Sequence, residues 1–337
     1  MYLLENLYKI HSQSGEERLM RNFVDSMCRR CGAETWVDDK GNLYALKGEA
    51  ETYPCVVAHL DQVQHVHSDD FRSIIVDDII LGFSPENKSQ EGLGADDKNG
   101  IWVALKCLEH FDVLKCAFFV GEEIGCVGSS SAEMEFFDDC RFVIQCDRRG
   151  GSDLINNAGG VELCSDEFLL DIGYAEFGYK PTTGLMTDVM TLKERGLKVS
   201  CCNLSCGYYE PHTDSEVTSI SELQNCLDFV MDIITRCEKV YPHEYNGYYD
   251  YYNGSYNGTY FEDETWDVEE LMFNYIEWAS NPRFSEFWSF YKDCCHGMHK
   301  KEVKKMFKQA IEDYDVFSQE DYEDSFYGET YDVRNYN

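Results

Sequence analysis

Four apolar runs, each closing on or leading to a polar residue, dominate the patterning of this chain. Cys55-Val56-Val57-Ala58 stops at His59, and Cys116-Ala117-Phe118-Phe119-Val120 stops at Gly121-Glu122-Glu123. Phe142-Val143-Ile144-Gln145-Cys146 stops at Asp147, and Val199-Ser200-Cys201-Cys202-Asn203-Leu204 leads toward His212. Runs of this length without alternation suit strands buried on both faces. Between them the period changes. Met20, Phe23, Val24, Met27 and Cys31 fall at helical spacing and stop at Gly32, behind Ser14-Gly15-Glu16-Glu17, which reads as a capping box. Ile101, Ala104, Leu105 and Leu108 predict a second helix, and Ile220, Leu223, Leu227, Val230, Met231 and Ile234 a third. Thr35-Trp36-Val37 and Leu43-Tyr44-Ala45-Leu46 predict a hairpin about the turn-forming Asp38-Asp39-Lys40-Gly41-Asn42.

Alternating strands and helices predict an α/β fold: a mixed, mostly parallel central sheet with helices on both faces. That body closes near Lys239, giving a first domain over 1–240. Beyond it, 241–260 is rich in Tyr, Gly and Asn and reads as a linker. Helical spacing returns in Val268, Leu271, Met272, Tyr275 and Ile276, and again in Val303, Met306, Phe307, Ala310, Ile311 and Tyr314. Residues 241–337 are therefore expected to form a Tyr-rich linker, a small helical extension and an acidic, partly disordered tail.

The 29 Lys and Arg against 63 Asp and Glu give a net charge of -34, which argues against nucleic acid or an anionic membrane as partner. The start of the chain lacks a basic segment followed by an apolar run, and no stretch is apolar enough to span a bilayer, so a cytoplasmic protein is expected. In that compartment the 16 cysteines act as reduced, buried small hydrophobes. Cys28-Arg29-Arg30-Cys31, a lone CxxC with no second pair, is a weak zinc or redox signal.

Ligands of open α/β sheets gather at the carboxyl ends of the strands, so the polar ends of these runs converge on one crevice, beside Gly94-Ala95-Asp96-Asp97-Lys98-Asn99-Gly100. A hydrolytic metal pair needs one shared carboxylate and about two further protein ligands per ion. Asp96 supplies the shared group. His59 and Asp147 complete one set, and Glu123 and His212 the other. Asp61, two residues after His59, is placed to accept the second imidazole N–H. Glu122, beside a ligand but free itself, is the candidate general base. Two divalent ions are expected, zinc first, with manganese or cobalt acceptable to the same donors. Taken singly these motifs are commonplace, as turn pairs, N-caps and solvated helix starts. His65 and His67 lie close enough in sequence to be alternates. Arg148 and Arg149 follow a ligand and are suited either to a substrate carboxylate or to a structural ion pair.

Val57-Ala58-His59-Leu60-Asp61, Gly94 to Gly100, Gly121-Glu122-Glu123-Ile124-Gly125, Asp147 and His212-Thr213-Asp214-Ser215-Glu216 together resemble the co-catalytic di-zinc exopeptidases, including peptidase T and glutamyl aminopeptidase. The similarity runs from Leu3 to about Cys237. It implies metal ligands at His59, Asp96, Glu123, Asp147 and His212, a proton shuttle at Glu122, Asp61 orienting His59, and a cis peptide after Asp96. Two departures stand out. The interval from Asp147 to His212 is too short for the inserted lid or dimerisation domain of many relatives, and the extension after Lys239 is outside the common pattern. Gly184-Leu185-Met186-Thr187-Asp188 looks like a segment of the glutamyl aminopeptidase branch. The activity implied is cleavage of short peptides, from the amino end. The same site would serve an N-acyl amino acid deacylase or amidase, and a catalytically silent binding protein on this fold is the reading from another class. Nothing in the sequence specifies the oligomeric state.

Overall fold

The computed structural model describes residues 2–245. The helical extension and the acidic tail lie outside the described residues, as does all but the start of the linker. The chain opens with α1 (Tyr2–Tyr8) and α2 (Arg18–Arg30), then β1 (Glu34–Val37), β2 (Leu43–Lys47) and β3 (Tyr53–His59). Next come β4 (Arg72–Val76), β5 (Ile79–Ser84), β6 (Ser89–Glu91), α3 (Ala95–His110), β7 (Leu114–Phe119) and β8 (Cys140–Arg148). After these follow β9 (Asp153–Ala158), β10 (Val161–Glu162), α4 (Asp166–Asp171), β11 (Lys180–Gly184) and α5 (Asp188–Glu194). The last elements are β12 (Cys201–Ser205), β13 (Tyr208–Tyr209), β14 (Val217–Ser219) and α6 (Ile220–Arg236).

Nine strands make the main sheet, in the order β1-β2-β7-β3-β8-β12-β9-β10, with β11 also paired to β9. Its centre is parallel: β3 runs parallel to β7 and β8, and β8 parallel to β12. The flanks are antiparallel, through the β1–β2 hairpin on β7 and through β9 on β12. The unbroken apolar runs occupy this centre, where β3 and β7 are buried at every residue. One face is covered by α1, α2, α3 and α6, and the other by α5 and the 3-10 turn Met134–Phe137. The fold class is therefore the mixed α/β sandwich that the periodicity predicts.

Three differences from the sequence reading have physical causes. The Ser14–Glu17 capping box does not form. Glu17 precedes α2 without a side-chain cap bond, its Oε1 accepts from Gly15 N at 2.8 Å, and the Ser14 hydroxyl donates to Asp61 instead. A tertiary acceptor has displaced the local one. Second, α3 is buried around nearly its whole circumference rather than on one face, because it lies between the sheet and the α1, α2 and α6 helices. Its polar residues are paired internally, with Tyr8 Oη donating to Asn99 Oδ1 at 2.6 Å and Asn99 Nδ2 to Cys206 O at 3.0 Å.

Third, a second sheet of five strands, β13-β14-β5-β4 with β6 on β5, joins residues 72–91 to residues 208–219. No periodicity in the sequence marks it, because three of its strands are only two or three residues long. Its pairing across more than a hundred residues brings the β13–β14 connection, which carries His212 and Glu216, over the carboxyl ends of the central strands. Past α6 the chain stays on the main body: Tyr241 is 2 % exposed, and its carbonyl accepts from Ser200 N at 2.8 Å. Among the described residues no helix is long and apolar enough to cross a membrane.

Candidate active site

His59 is the last residue of β3 and Asp147 the last but one of β8, and the parallel pairing of these strands sets the two side by side. Asp96 stands at the entrance to α3. A cis peptide bond joins it to Asp97, as the resemblance implies, and Gly94 before it takes φ +62. At Gly94 a β-carbon would lie 2.8 Å from both Gln62 Oε1 and Lys98 Nζ, so the left-handed turn also needs the missing side chain. Two carboxylates brace this turn. Asp97 Oδ2 accepts from His59 N at 3.1 Å and its Oδ1 from Gly100 N at 3.0 Å. Glu216 accepts from Ala95 N at 3.0 Å, Asp96 N at 3.2 Å and Gln64 Nε2 at 3.1 Å.

The five predicted ligands come together in two triads that share Asp96. His59 Nε2 lies 3.1 Å from Asp96 Oδ1 and 3.7 Å from Asp147 Oδ1. His212 Nε2 lies 3.3 Å from Asp96 Oδ2 and 3.0 Å from Glu123 Oε2. Asp61 backs the first triad. Its Oδ1 is 3.3 Å from His59 Nδ1 and accepts from Glu122 N at 3.0 Å, while Oδ2 accepts from Ser14 Oγ at 2.7 Å and Glu123 N at 3.2 Å. Asp147 is fixed by Asn203, Tyr208 and Gln145. Its amide donates to Asn203 Oδ1 at 2.8 Å, Tyr208 Oη donates to its Oδ1 at 3.2 Å, and Gln145 Nε2 donates to its Oδ2 at 3.1 Å. The orientation of the Gln145 amide is itself set by Thr187 Oγ1 and Val189 N, both donating to Oε1, and its Nε2 reaches Asp188 Oδ2 at 3.2 Å.

The cluster carries more negative than positive charge, and its proton affinities follow. Burial, and then the Asp96 charge, push Glu123 and Asp147 above the usual carboxylate range. Burial also raises Glu122 well above that range, with His59 opposing and Asp147, Asp188 and Glu123 adding to the rise. Asp96 goes the other way: burial raises it, but bonds to His212 and His59 outweigh that and hold it well below. His212 is pushed up to about 11, because its bonds to Asp96 and Glu123 outweigh the burial that lowers it. A site that draws protons onto both imidazoles is one in which cations are favoured.

The donor set fits metal ions. Tetrahedral bonds of 2.0–2.1 Å separate neighbouring ligand atoms by ~3.3 Å, and the four distances above run from 3.0 to 3.7 Å. Within each of the triads His59–Asp96–Asp147 and Asp96–Glu123–His212, one ligand atom per residue falls within 4.8 Å of the others. Glu123 Oε1 is buried without a hydrogen-bond partner, a cost that a cation would remove. The opening lies on the His212 side, since His212 is 28 % exposed and the His59, Asp96, Glu123 and Asp147 side chains are at most 10 % exposed.

Other candidates fall elsewhere. Arg148 pairs with Asp153 at 3.2 Å, the structural alternative, and the backbone carbonyl of Arg149 accepts from Ser205 Oγ. His67 stacks between His11 and Phe71 with its Nε2 3.1 Å from Lys9 O, and takes no place in the triads. Cys28 is buried and Cys31 half-buried, both as free thiols whose proton affinity burial raises. The residues that sequence reasoning missed are the braces: Ser14, Gln64, Asp97, Gln145, Asn203, Tyr208 and Glu216. Asp97 and Glu216 lie inside quoted motifs, but nothing local marks which amides they hold.

No protein-family profile matches the chain, and no curated protein sequence matches it. Solved structures do. An aminopeptidase PepT from Bacillus cereus covers 70 % of this chain and 97 % of its own, with a TM-score of 0.55 at 16 % identity. A tripeptidase from Staphylococcus aureus covers 69 % and 96 %, at 0.54 and 15 %. A TET aminopeptidase from a marine-sediment Thaumarchaeota archaeon covers 70 % and 96 %, at 0.57 and 12 %. The chain therefore has the zinc exopeptidase-like fold that these aminopeptidases share.

Proposed function

We propose that this protein is a metal-dependent exopeptidase that cleaves short peptides from the amino end, with residues 1–240 as a catalytic unit lacking an inserted lid or dimerisation domain. The observation that carries the reading is the pair of triads sharing Asp96, with a spare, half-buried carboxylate, Glu122, beside them. The likeness to solved aminopeptidases supports the substrate class. His59, Asp96 and Asp147 hold one divalent ion, and Asp96, Glu123 and His212 the other, with zinc the first candidate and manganese or cobalt compatible. When bound, such ions lower the pKa of an attacking water toward about 7 and polarise the scissile carbonyl.

The protein's own groups do the rest. Glu122, whose proton affinity burial raises, takes a proton from the attacking water and returns it to the departing amine nitrogen. Asp61 keeps His59 presenting Nε2, and through the Glu122 and Glu123 amides it fixes base and ligand in one frame. Asp147 is held in line by Gln145, Asn203 and Tyr208.

The test is a panel of short peptides with free or blocked amino termini, assayed with Glu122→Gln alongside and with metal content measured in both proteins. Cleavage of free-amino peptides, lost by about 10²–10⁴-fold in Glu122→Gln with metal retained, is expected. Turnover confined to N-acyl amino acids would move the assignment to a deacylase. Metal binding without turnover of either class would leave a binding protein.

A further inference from the structure

Cys126 lies one turn beyond Glu122, is 1 % exposed, and takes the left-handed φ of +51, which a non-glycine residue seldom adopts. That backbone aims the side chain at the carboxylate, with Sγ 3.5 Å from Glu122 Oε1. The backbone grips the same residue, since Cys126 N donates to Glu122 O at 2.8 Å and Gly125 N to the same oxygen at 2.9 Å. The carbonyl of Cys126 is anchored in turn by Ser130 N at 2.9 Å and Ser129 Oγ at 3.2 Å. Burial, and then the charges of Glu122 and Asp188, raise the thiol well above its ordinary value, so the group is a proton donor and not a thiolate. Its burial and its carboxylate neighbours exclude a nucleophilic role.

The geometry points to Cys126 as a positioning residue for Glu122: the thiol fastens one carboxylate oxygen and leaves the other to carry the proton between water and leaving nitrogen. This rests on Glu122 being the base. A sulfur donor is weak and polarisable, so it steadies the carboxylate without competing strongly for the proton that the reaction moves.

The test uses the full chain, metal-loaded, as Cys126→Ala, Cys126→Ser, Glu122→Gln and the Cys126→Ala/Glu122→Gln double variant. Cys126→Ala is expected to lower kcat about tenfold with KM and bound metal unchanged, and Cys126→Ser, which keeps a donor, to recover most of the loss. In the Glu122→Gln background the Ala substitution adds nothing. The infrared S–H stretch isolated by subtracting the Cys126→Ala spectrum should shift to higher wavenumber in Glu122→Gln, where the acceptor is neutral. An undiminished kcat in Cys126→Ala, an additive double variant, or an S–H band insensitive to residue 122 overturns the assignment. The band is read without turnover. A protein that cleaves no peptide therefore defeats the exopeptidase reading, while the spectrum still decides whether the thiol holds the carboxylate.

Discussion

Asp61 takes up contacts from Ser14, His59, Glu122 and Glu123, and both of its oxygens are occupied twice. Asn at this position keeps one acceptor and turns an amide against a backbone N–H. Asp61→Asn is therefore expected to weaken metal affinity by about 10–100-fold, read by competition with a chromophoric chelator, whereas Ser14→Ala, which removes one donor of four, should cost far less. Glu216 offers a pH signature. Burial, and then the Asp96 charge, push its carboxyl from the ordinary 4.5 up to about 7. The folded metal-free protein thus holds a proton that the unfolded chain releases, so this contribution to stability is complete below pH 4.5 and is lost as pH rises through about 7. Urea unfolding at about pH 5 and about pH 8 should show a steeper loss for the metal-free wild type than for Glu216→Gln, which cannot titrate.

At the scale of elements, the entrance to α3 is the most tightly built. Gly100 sits against the Asp97 carboxylate, where a β-carbon would lie 2.3 Å from Oδ1. Gly100→Ala must displace the group that accepts from His59 N and Gly100 N, and is expected to cost about 1–3 kcal/mol by chemical denaturation. The central strands and the β1–β2 hairpin were legible because their signals are local: unbroken apolar runs, and a turn in which Asp38 Oδ1 accepts from the amides of Lys40, Gly41 and Asn42. The second sheet was not. β6, β13 and β14 are two or three residues long, too short for any period, and β4 exposes the apolar Ile74, Ile75 and Val76. The false capping box teaches the same point from the other side, because Ser14 matched a local motif and was claimed by a partner 47 residues away.

Over the whole molecule, the ligands were readable because each donor follows or closes an element with its own pattern, and their braces were not, because the amides they hold belong to distant segments. The assembled charge has a measurable consequence. His212 is pushed up to about 11 and His59 is raised well above its ordinary value, so the metal-free site favours protonated rings and a metal must displace those protons from the nitrogens. Zinc added to the metal-free protein should therefore release protons, those of the two imidazoles among them, detected as a dependence of the calorimetric enthalpy on the ionisation enthalpy of the buffer. No release would mean that the imidazoles do not bind metal.

The β13–β14 connection supplies both His212 and the Glu216 brace beneath Asp96, and β14 is locked to β5 from the first third of the chain. A nascent polypeptide that has emerged only as far as β12 therefore carries four ligands of five and a half-built cradle, with its closing strands still in the ribosome. Synthesis order thus delivers the fifth ligand and the support beneath Asp96 last, after the strands that carry the other four.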